Sequence, residues 1–231
     1  MRYEAIRPAV FLSRPNRFVA MVQLDGKTVR CHVKNTGRCR ELLIPGTPVF
    51  VQMHGQENRR TACSLITVDR GGELINMDSQ APNKAAGEWL QKGNLPGVPS
   101  LLRPETVFGE SRFDFYAERA TGQGTERHFI EVKGVTLEEN GVARFPDAPT
   151  KRGEKHIREL IRAQTMGYRA QILFVVQMAC AVQMEPNGAT DPAFARALRE
   201  AAENGVRVRA VTCRITPDSM EILREIPVVL P

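Results

Sequence analysis

Two acidic residues and a lysine pose the first chemical question. Asp114 sits in Arg112-Phe113-Asp114-Phe115-Tyr116, and Glu131 and Lys133 sit in Phe129-Ile130-Glu131-Val132-Lys133. Side chains alternate along a strand, so Glu131 and Lys133 share one face, as do Arg112, Asp114 and Tyr116. If the two stretches are neighbouring strands, Asp114, Glu131 and Lys133 converge. Two carboxylates suit Mg²⁺ or Mn²⁺, since Mg²⁺ takes one or two such ligands and keeps several waters. A lysine beside them can orient or help deprotonate an attacking water and offset charge on a phosphorane-like transition state. This is the D…E-x-K arrangement of metal-dependent phosphodiesterases. The same residues also suit a solvated charged face. Against that stands the apolar frame: Phe113 and Phe115 flank Asp114, and Ile130 and Val132 flank Glu131.

A second group follows the loop Phe145-Pro146-Asp147-Ala148-Pro149. Arg152, Lys155, His156 and Glu159 are spaced i, i+3, i+4 and i+7, which makes one stripe of a helix. Ile157, Leu160, Ile161 and Gln164 fall on another face, expected to pack inward. Lys155 and Glu159 form an ordinary helix-stabilising pair, but a histidine within the stripe favours a site.

The elements that would position these groups follow from periodicity and turn chemistry. Phe18 to Leu24 alternates, Asp25-Gly26 signals a hairpin, and Lys27 to Val33 alternates after it. Arg40 to Leu43 reads as a helical turn. Val49–Met53, Thr61–Val68 and Leu74–Met77 complete five short strands in about eighty residues, as in an OB-like barrel. Asn83 is placed to cap a helix through Ala85, Ala86, Trp89 and Leu90. Gly93 to Pro99 reads as a loop. Strands are expected over Phe108–Ala117 and His128–Val135, with a turn at Gly122 and Gly124, then a helix over Lys151–Met166 stopped by Gly167. Ala170–Val176 is a continuous apolar run, suited to a strand buried on both faces. Asp191-Pro192 opens a helix that ends at Asn204-Gly205, and Val206–Val211 is the next strand. Helix–strand–helix–strand is α/β logic with a parallel pair. The chain thus divides into a β module over residues 1–82 and an α/β module over 83–231.

Charge separates the same halves. The chain has 231 residues and a formal net charge of +6. Residues 1–85 hold 13 basic and 7 acidic side chains, and the remainder holds 19 of each. A basic module joined to a neutral one points to a polyanion-binding domain attached to something else. Arg14, Arg17, Lys34, Arg38 and Arg40 crowd the first strands and the Asn35-Thr36-Gly37 loop. Few aromatics lie there for base stacking, so little sequence discrimination is expected. Five cysteines without C-x-x-C spacing and four histidines give poor support to a zinc cluster. No stretch is long and apolar enough for a membrane span, and Met1 to Pro8 lacks the apolar core of an export signal. A cytoplasmic protein is the expectation.

Several segments together resemble a known family. They are Asn35-Thr36-Gly37, Ser111 to Phe115, Ile130 to Leu137, Phe145 to Ala148 and Arg152 to Leu160. They look like the sugar fermentation stimulation protein A family, SfsA, over essentially the whole chain. The resemblance implies an OB-like barrel followed by a restriction-endonuclease-like domain of the PD-(D/E)xK type. It implies DNA binding, with a proposed regulatory link to maltose metabolism. Carried over by position, Asp114, Glu131 and Lys133 match the signature, with Phe113 where proline usually stands. Glu88 matches an extra acidic position, so Asp114, Glu131 and Glu88 are the implied ligands of Mg²⁺ or Mn²⁺. The expected catalytic set is Asp114, Glu131, Lys133, Lys155 and His156. The expected DNA contacts are Arg14, Arg17, Lys34, Asn35, Thr36, Arg38, Arg40 and Arg152. Three readings stay open: a nuclease, a non-enzymatic DNA-binding regulator, and a barrel that binds RNA or single-stranded DNA.

Overall fold

Closure of the first unit depends on a strand that simple alternation passes over. In this computed structural model, which describes every residue except 36, 56–60, 96 and 231, Ile6–Asn16 forms β1. It is followed by β2 (Val19–Leu24), β3 (Lys27–Val33), β4 (Pro48–Met53) and β5 (Cys63–Arg70). β1 pairs antiparallel with β2 and β4, and a parallel pairing of β3 with β5 closes a five-stranded barrel. Closure removes the exposed edge that would otherwise template association. The expected strand set is corrected at both ends. β1 joins it, and the stretch around Leu74 becomes β6 (Glu73–Asn76), which pairs on β5 outside the ring. Pro8 and Pro15 conceal β1, because proline donates no ladder hydrogen bond and breaks the strand pattern. Phe11, Val22, Val33, Val51 and Leu65 fill the barrel and are at most 1% exposed.

The second unit runs α1 (Ala81–Gln91), β7 (Leu101–Phe108), β8 (Ser111–Thr121), β9 (Gly124–Val135), β10 (Leu137–Glu139) and β11 (Val142–Phe145). It continues with α2 (Lys151–Thr165), β12 (Arg169–Val176), β13 (Gln183–Pro186), α3 (Pro192–Glu203), β14 (Arg207–Thr216) and β15 (Ser219–Ile226). The main sheet has the order β15-β14-β12-β9-β8-β7, with β9, β12 and β14 parallel and antiparallel strands at both margins. Ile157 and Leu160 of α2 and Leu198 of α3 pack with Phe129, Ile172 and Phe174 on one face. Ala85, Ala86 and Leu90 of α1 pack with Ile130, Val132 and Leu173 on the other. Thr150 caps α2 by accepting from the Gly153 N–H, and Asp191 caps α3 by accepting from the Phe194 N–H. The apolar run in β12 is buried from Ala170 to Val176, as a central parallel strand requires.

Other expectations are corrected. Asn83 is not a cap: α1 starts at Ala81 with Gln80 in the cap position, and Asn83 lies inside the helix. Periodicity and turn chemistry do not reveal β7, the β10–β11 hairpin, β13 or β15. β7 carries Pro104 but is an edge strand, where a missing N–H is tolerated. Among the described residues, no helix is long and apolar enough to cross a membrane.

The two units share buried polar contacts. Gln177, 1% exposed, donates from Nε2 to the carbonyls of Asn76 at 2.9 Å and Asp78 at 3.1 Å. Glu73 accepts from the backbone of Ala179 at 3.0 Å and Cys180 at 3.1 Å, and Arg70 pairs with Glu138. Gly134 lets this junction close. A Cβ there would lie 2.6 Å from Gln177 Oε1 and 2.7 Å from Pro82 Cγ. Met1 to Tyr3 also reach across, with the Tyr3 N–H donating to the Asp218 carbonyl at 2.8 Å. Replacing Gln177 by leucine strands two buried carbonyls. Urea denaturation of Gln177→Leu should show a loss of about 2–3 kcal/mol, with the far-UV spectrum of the native state retained.

Candidate active site

Pairing between β8 and β9 runs from Thr121↔Gly124 to Phe115↔Ile130. Asp114 stands one residue beyond that last pair. Its Oδ2 accepts from the Val132 N–H at 2.7 Å, and its Oδ1 accepts from Asn83 Nδ2 at 2.7 Å. Strict alternation fails at this point. Phe113 packs on the α2 side of the sheet and Phe115 on the α1 side. Tyr116 returns to Phe129, with ring centroids 5.2 Å apart, while Arg112 is exposed and pairs with Glu105 at 2.7 Å. The expected common face of Arg112, Asp114 and Tyr116 is therefore corrected. The change of face where β8 leaves β9 aims Asp114 at α1 and at the backbone of β9.

Glu131 and Lys133 do share a face. Lys133 Nζ donates to Glu131 Oε1 at 2.5 Å. The same oxygen bonds His156 Nδ1 of α2, and Arg152 Nε donates to His156 Nε2 at 3.4 Å. An acceptor Nε2 leaves the ring proton on Nδ1, directed at Glu131. Glu131 Oε2 is buried without a hydrogen-bond partner. Burial pushes the Glu131 carboxyl up, but His156 and Lys133 outweigh it and hold the group below its ordinary value. Asp114 goes the other way. Burial first, and the neighbouring Glu131 charge second, raise it from 3.8 to about 6, against the bonds from Val132 and Asn83 and the charge of Lys133.

Other expected site residues lie apart. Lys155 points outward to Glu110 at 3.1 Å and does not join the acids. The expected stripe is split accordingly, with His156 turned into the core at 6% exposure and Arg152 and Lys155 outside. Glu88 pairs with the Met1 ammonium at 2.8 Å and its side chain is 52% exposed. It borders a cavity of about 420 Å³ that Asn83 and Asp114 also line. Among the described residues, no three His, Cys, Asp or Glu side chains gather in a metal-holding group, so Glu88 does not complete a triad with Asp114 and Glu131. Asn83 was missed as a site residue because its partner lies 31 positions away. A polar side chain inside a helix was the only sequence signal.

The basic residues divide into braces and free cations. Arg14 donates to the carbonyls of Arg17, Asn35, Gly37 and Arg38 at 2.6–2.9 Å, so it shapes the loop. Lys34 is held by Asp78 at 2.9 Å, and Asn35 Oδ1 accepts from the Gly37 N–H at 2.8 Å. Thr36 lies outside the described residues. Arg17, Arg38 and Arg40 are exposed, and with Arg14 they line a groove of about 420 Å³. The Arg38 N–H donates to Asp147 Oδ2 at 3.1 Å, tying this loop to the second unit. A small cleft there is lined by Asn35 and Gly37 on one side and Gly134 and Thr136 on the other. Thus the basic groove adjoins the end of the strand that carries Glu131 and Lys133.

Residues 12–77 match the family model for the SfsA N-terminal OB domain, and residues 80–219 match that for the sugar fermentation stimulation protein RE domain. The chain belongs to the sugar fermentation stimulation protein family. It is 53% identical to the sugar fermentation stimulation protein homolog of Desulfitobacterium hafniense strain Y51, over 96% of this chain and 95% of that one. It is 50% identical to the homolog of Clostridium beijerinckii over 100% of both chains. The solved structure of Pyrococcus furiosus SfsA in complex with Ca²⁺ is 30% identical, covers 99% of this chain and 98% of that one, and superposes with a TM-score of 0.87. As in other members of the sugar fermentation stimulation family, an OB barrel thus precedes an α/β domain.

The raised Asp114 has a measurable consequence. The folded, metal-free protein retains this proton up to about pH 6, whereas the unfolded chain releases it near 3.8. The native state binds more protons in that interval, so stability falls as pH rises through it and stays lower above it, by about 3 kcal/mol. In EDTA, Asp114→Asn should melt higher than the parent at pH 7.5, and the difference should vanish below pH 4. Parallel melting curves at all pH values would show that Asp114 is not under this strain.

Proposed function

We propose that this chain is a DNA-binding protein whose second domain hydrolyses phosphodiesters with Mg²⁺ or Mn²⁺, acting in the cytoplasm. The observation that carries the reading is Glu131 Oε2, buried without a partner beside a second carboxylate raised by burial and by the charge of Glu131. A hard divalent cation answers both, supplying ligand bonds to the orphan oxygen and positive charge between the acids. Asp114 and Glu131 would hold it, and water would complete the shell. When bound, the ion supplies Lewis-acid activation of the phosphoryl group. Lys133 adds fixed positive charge where charge builds up on phosphate, and His156 with Arg152 behind it fixes the Glu131 carboxylate. The Ca²⁺ bound by the P. furiosus relative supports a divalent ion in this family.

The groove of Arg17, Arg38 and Arg40 supports DNA binding, with Arg152 as a fourth exposed cation on α2. Phosphate contacts without base readout carry little sequence preference. A regulator without catalysis is the second reading. It is favoured by the absence, among the described residues, of a third His, Cys, Asp or Glu side chain for the metal.

Titration of Mn²⁺ into the full chain, alongside plasmid cleavage in Mg²⁺, Mn²⁺ or EDTA, separates them. Asp114→Asn should weaken Mn²⁺ binding and abolish cleavage while leaving DNA affinity intact. Lys133→Ala should keep or raise metal affinity and lose cleavage, because a competing cation has gone. No uptake of divalent ion even with DNA present removes the enzymatic reading and leaves the regulator.

DNA affinity is a separate expectation. Four exposed arginines give a slope of log K against log salt near −3.6 on duplex DNA, and Arg38→Ala with Arg40→Ala should reduce it by about 1.8. A fluorescence-anisotropy series from low to moderate salt checks this. An unchanged slope would move the interface elsewhere.

A further inference from the structure

At the opposite end of the main sheet, where β9, β12 and β14 begin, lies a cavity of about 420 Å³ that the proposed phosphodiester chemistry does not use. Two of its lining side chains are buried polar groups left incomplete. His128 is 5% exposed and Gln171 is 4% exposed, and the Nε2 of each lacks a hydrogen-bond partner. His128 Nε2 lies 3.5 Å from Glu126 Oε2, without hydrogen-bond geometry. Unmet buried polar groups cost on the order of 1–3 kcal/mol each, so a native pocket with two of them is built for something that completes them.

The charge around these groups defines what fits. Arg119, Arg169 and Arg207 line the cavity with a single acid, Glu126. Glu126 is shared by Arg119 at 2.5 Å and Arg169 at 3.6 Å. Arg207 is exposed at the rim and has no acidic partner among the described residues. Burial first, opposed by Glu126 and assisted by Arg119, lowers His128, so the ring offers a neutral donor and acceptor. Ala170, Ala202 and Val206 supply an apolar wall. The excess of two positive charges suits a dianion, and the volume accommodates more than a bare anion.

We infer that this cavity binds a small phosphorylated molecule, its phosphate held by Arg169 and Arg207 and its polar body by His128 and Gln171. His128 pairs with Arg169 in the sheet register, and Gln171 pairs with Arg207, so neighbouring strands present all four at one end. Glu131 lies three residues along β9 from His128, roughly 10 Å at the rise of a strand. The site is thus separate from the acids and independent of the nuclease reading.

Calorimetry on the full chain in EDTA tests it, with ribose 5-phosphate, inorganic phosphate and ribose as probes. Ribose 5-phosphate should bind with sub-millimolar affinity, inorganic phosphate at least tenfold more weakly, and ribose without detectable heat. Arg207→Ala should weaken ribose 5-phosphate at least tenfold. Gln171→Leu removes an orphan donor, so it should raise the melting temperature without ligand while losing at least tenfold in affinity. Asp114→Asn should leave this binding unchanged. Equal binding of inorganic phosphate and ribose 5-phosphate, or no binding of ribose 5-phosphate, would overturn the proposal, as would full affinity in both pocket variants.

Discussion

Two carboxylates held together away from bulk water are the constraint around which the second domain is built. Asp114 and Glu131 repel one another, and burial makes that repulsion matter. The fold answers with donors on every accessible oxygen but one. Asn83 and the Val132 N–H hold Asp114, while Lys133 and His156 share one oxygen of Glu131. The four donors come from three elements: Asn83 from α1, the Val132 backbone and the Lys133 side chain from β9, and His156 from α2. Moving any of these elements would release a buried charge, so the acids fix how both helices sit on the sheet. The two groups respond in opposite directions, Asp114 upward and Glu131 downward, because Lys133 and His156 bond Glu131 directly, while Asp114 feels Lys133 only at a distance.

The same strand governs the junction with the barrel. Gly134 follows Lys133 directly, and its missing side chain is what admits Gln177 and Pro82. Gln177 in turn holds the chain where it leaves β6 for α1. The basic loop after β3 then reaches the second domain through Arg38 and Asp147. Arg14 is central to that geometry although it is not itself a free cation. Its guanidinium gathers four carbonyls, and the loop so shaped leaves Arg38 and Arg40 exposed. Exposure and structural bracing are therefore divided among residues of identical chemistry, by position alone.

Periodicity made part of this legible in advance. Glu131 and Lys133 could be placed on one face because strand side chains repeat every two residues, and the apolar frame around them marked a buried setting. The cap of α3 at Asp191, the run in β12 and the hairpin at Asp25-Gly26 rest on equally local rules. Elements whose signal depends on distant partners were less visible. β1 and β7 contain prolines and become strands because neighbours supply the ladder. Asn83 looked like a cap, since its spacing to a helix start is local information while its bond to Asp114 is not. Lys155 and His156 are adjacent in sequence, yet a rotation of 100° about the helix axis sends one to solvent and the other to Glu131.

What the sequence by itself determined was residue chemistry and short-range geometry: a basic β module, an α/β module, a Glu and a Lys on one strand face, and the Asp191 cap of α3. These follow from backbone sterics and side-chain period, which act over a few residues. Tertiary structure alone decided which carboxylate faces which, that Glu88 stays apart from the pair, and that Arg14 and Lys34 are spent on internal contacts. It alone left His128 and Gln171 buried with a polar atom each unmet. Those outcomes depend on packing between segments tens of residues apart, where desolvation and the supply of partners are set by the whole fold.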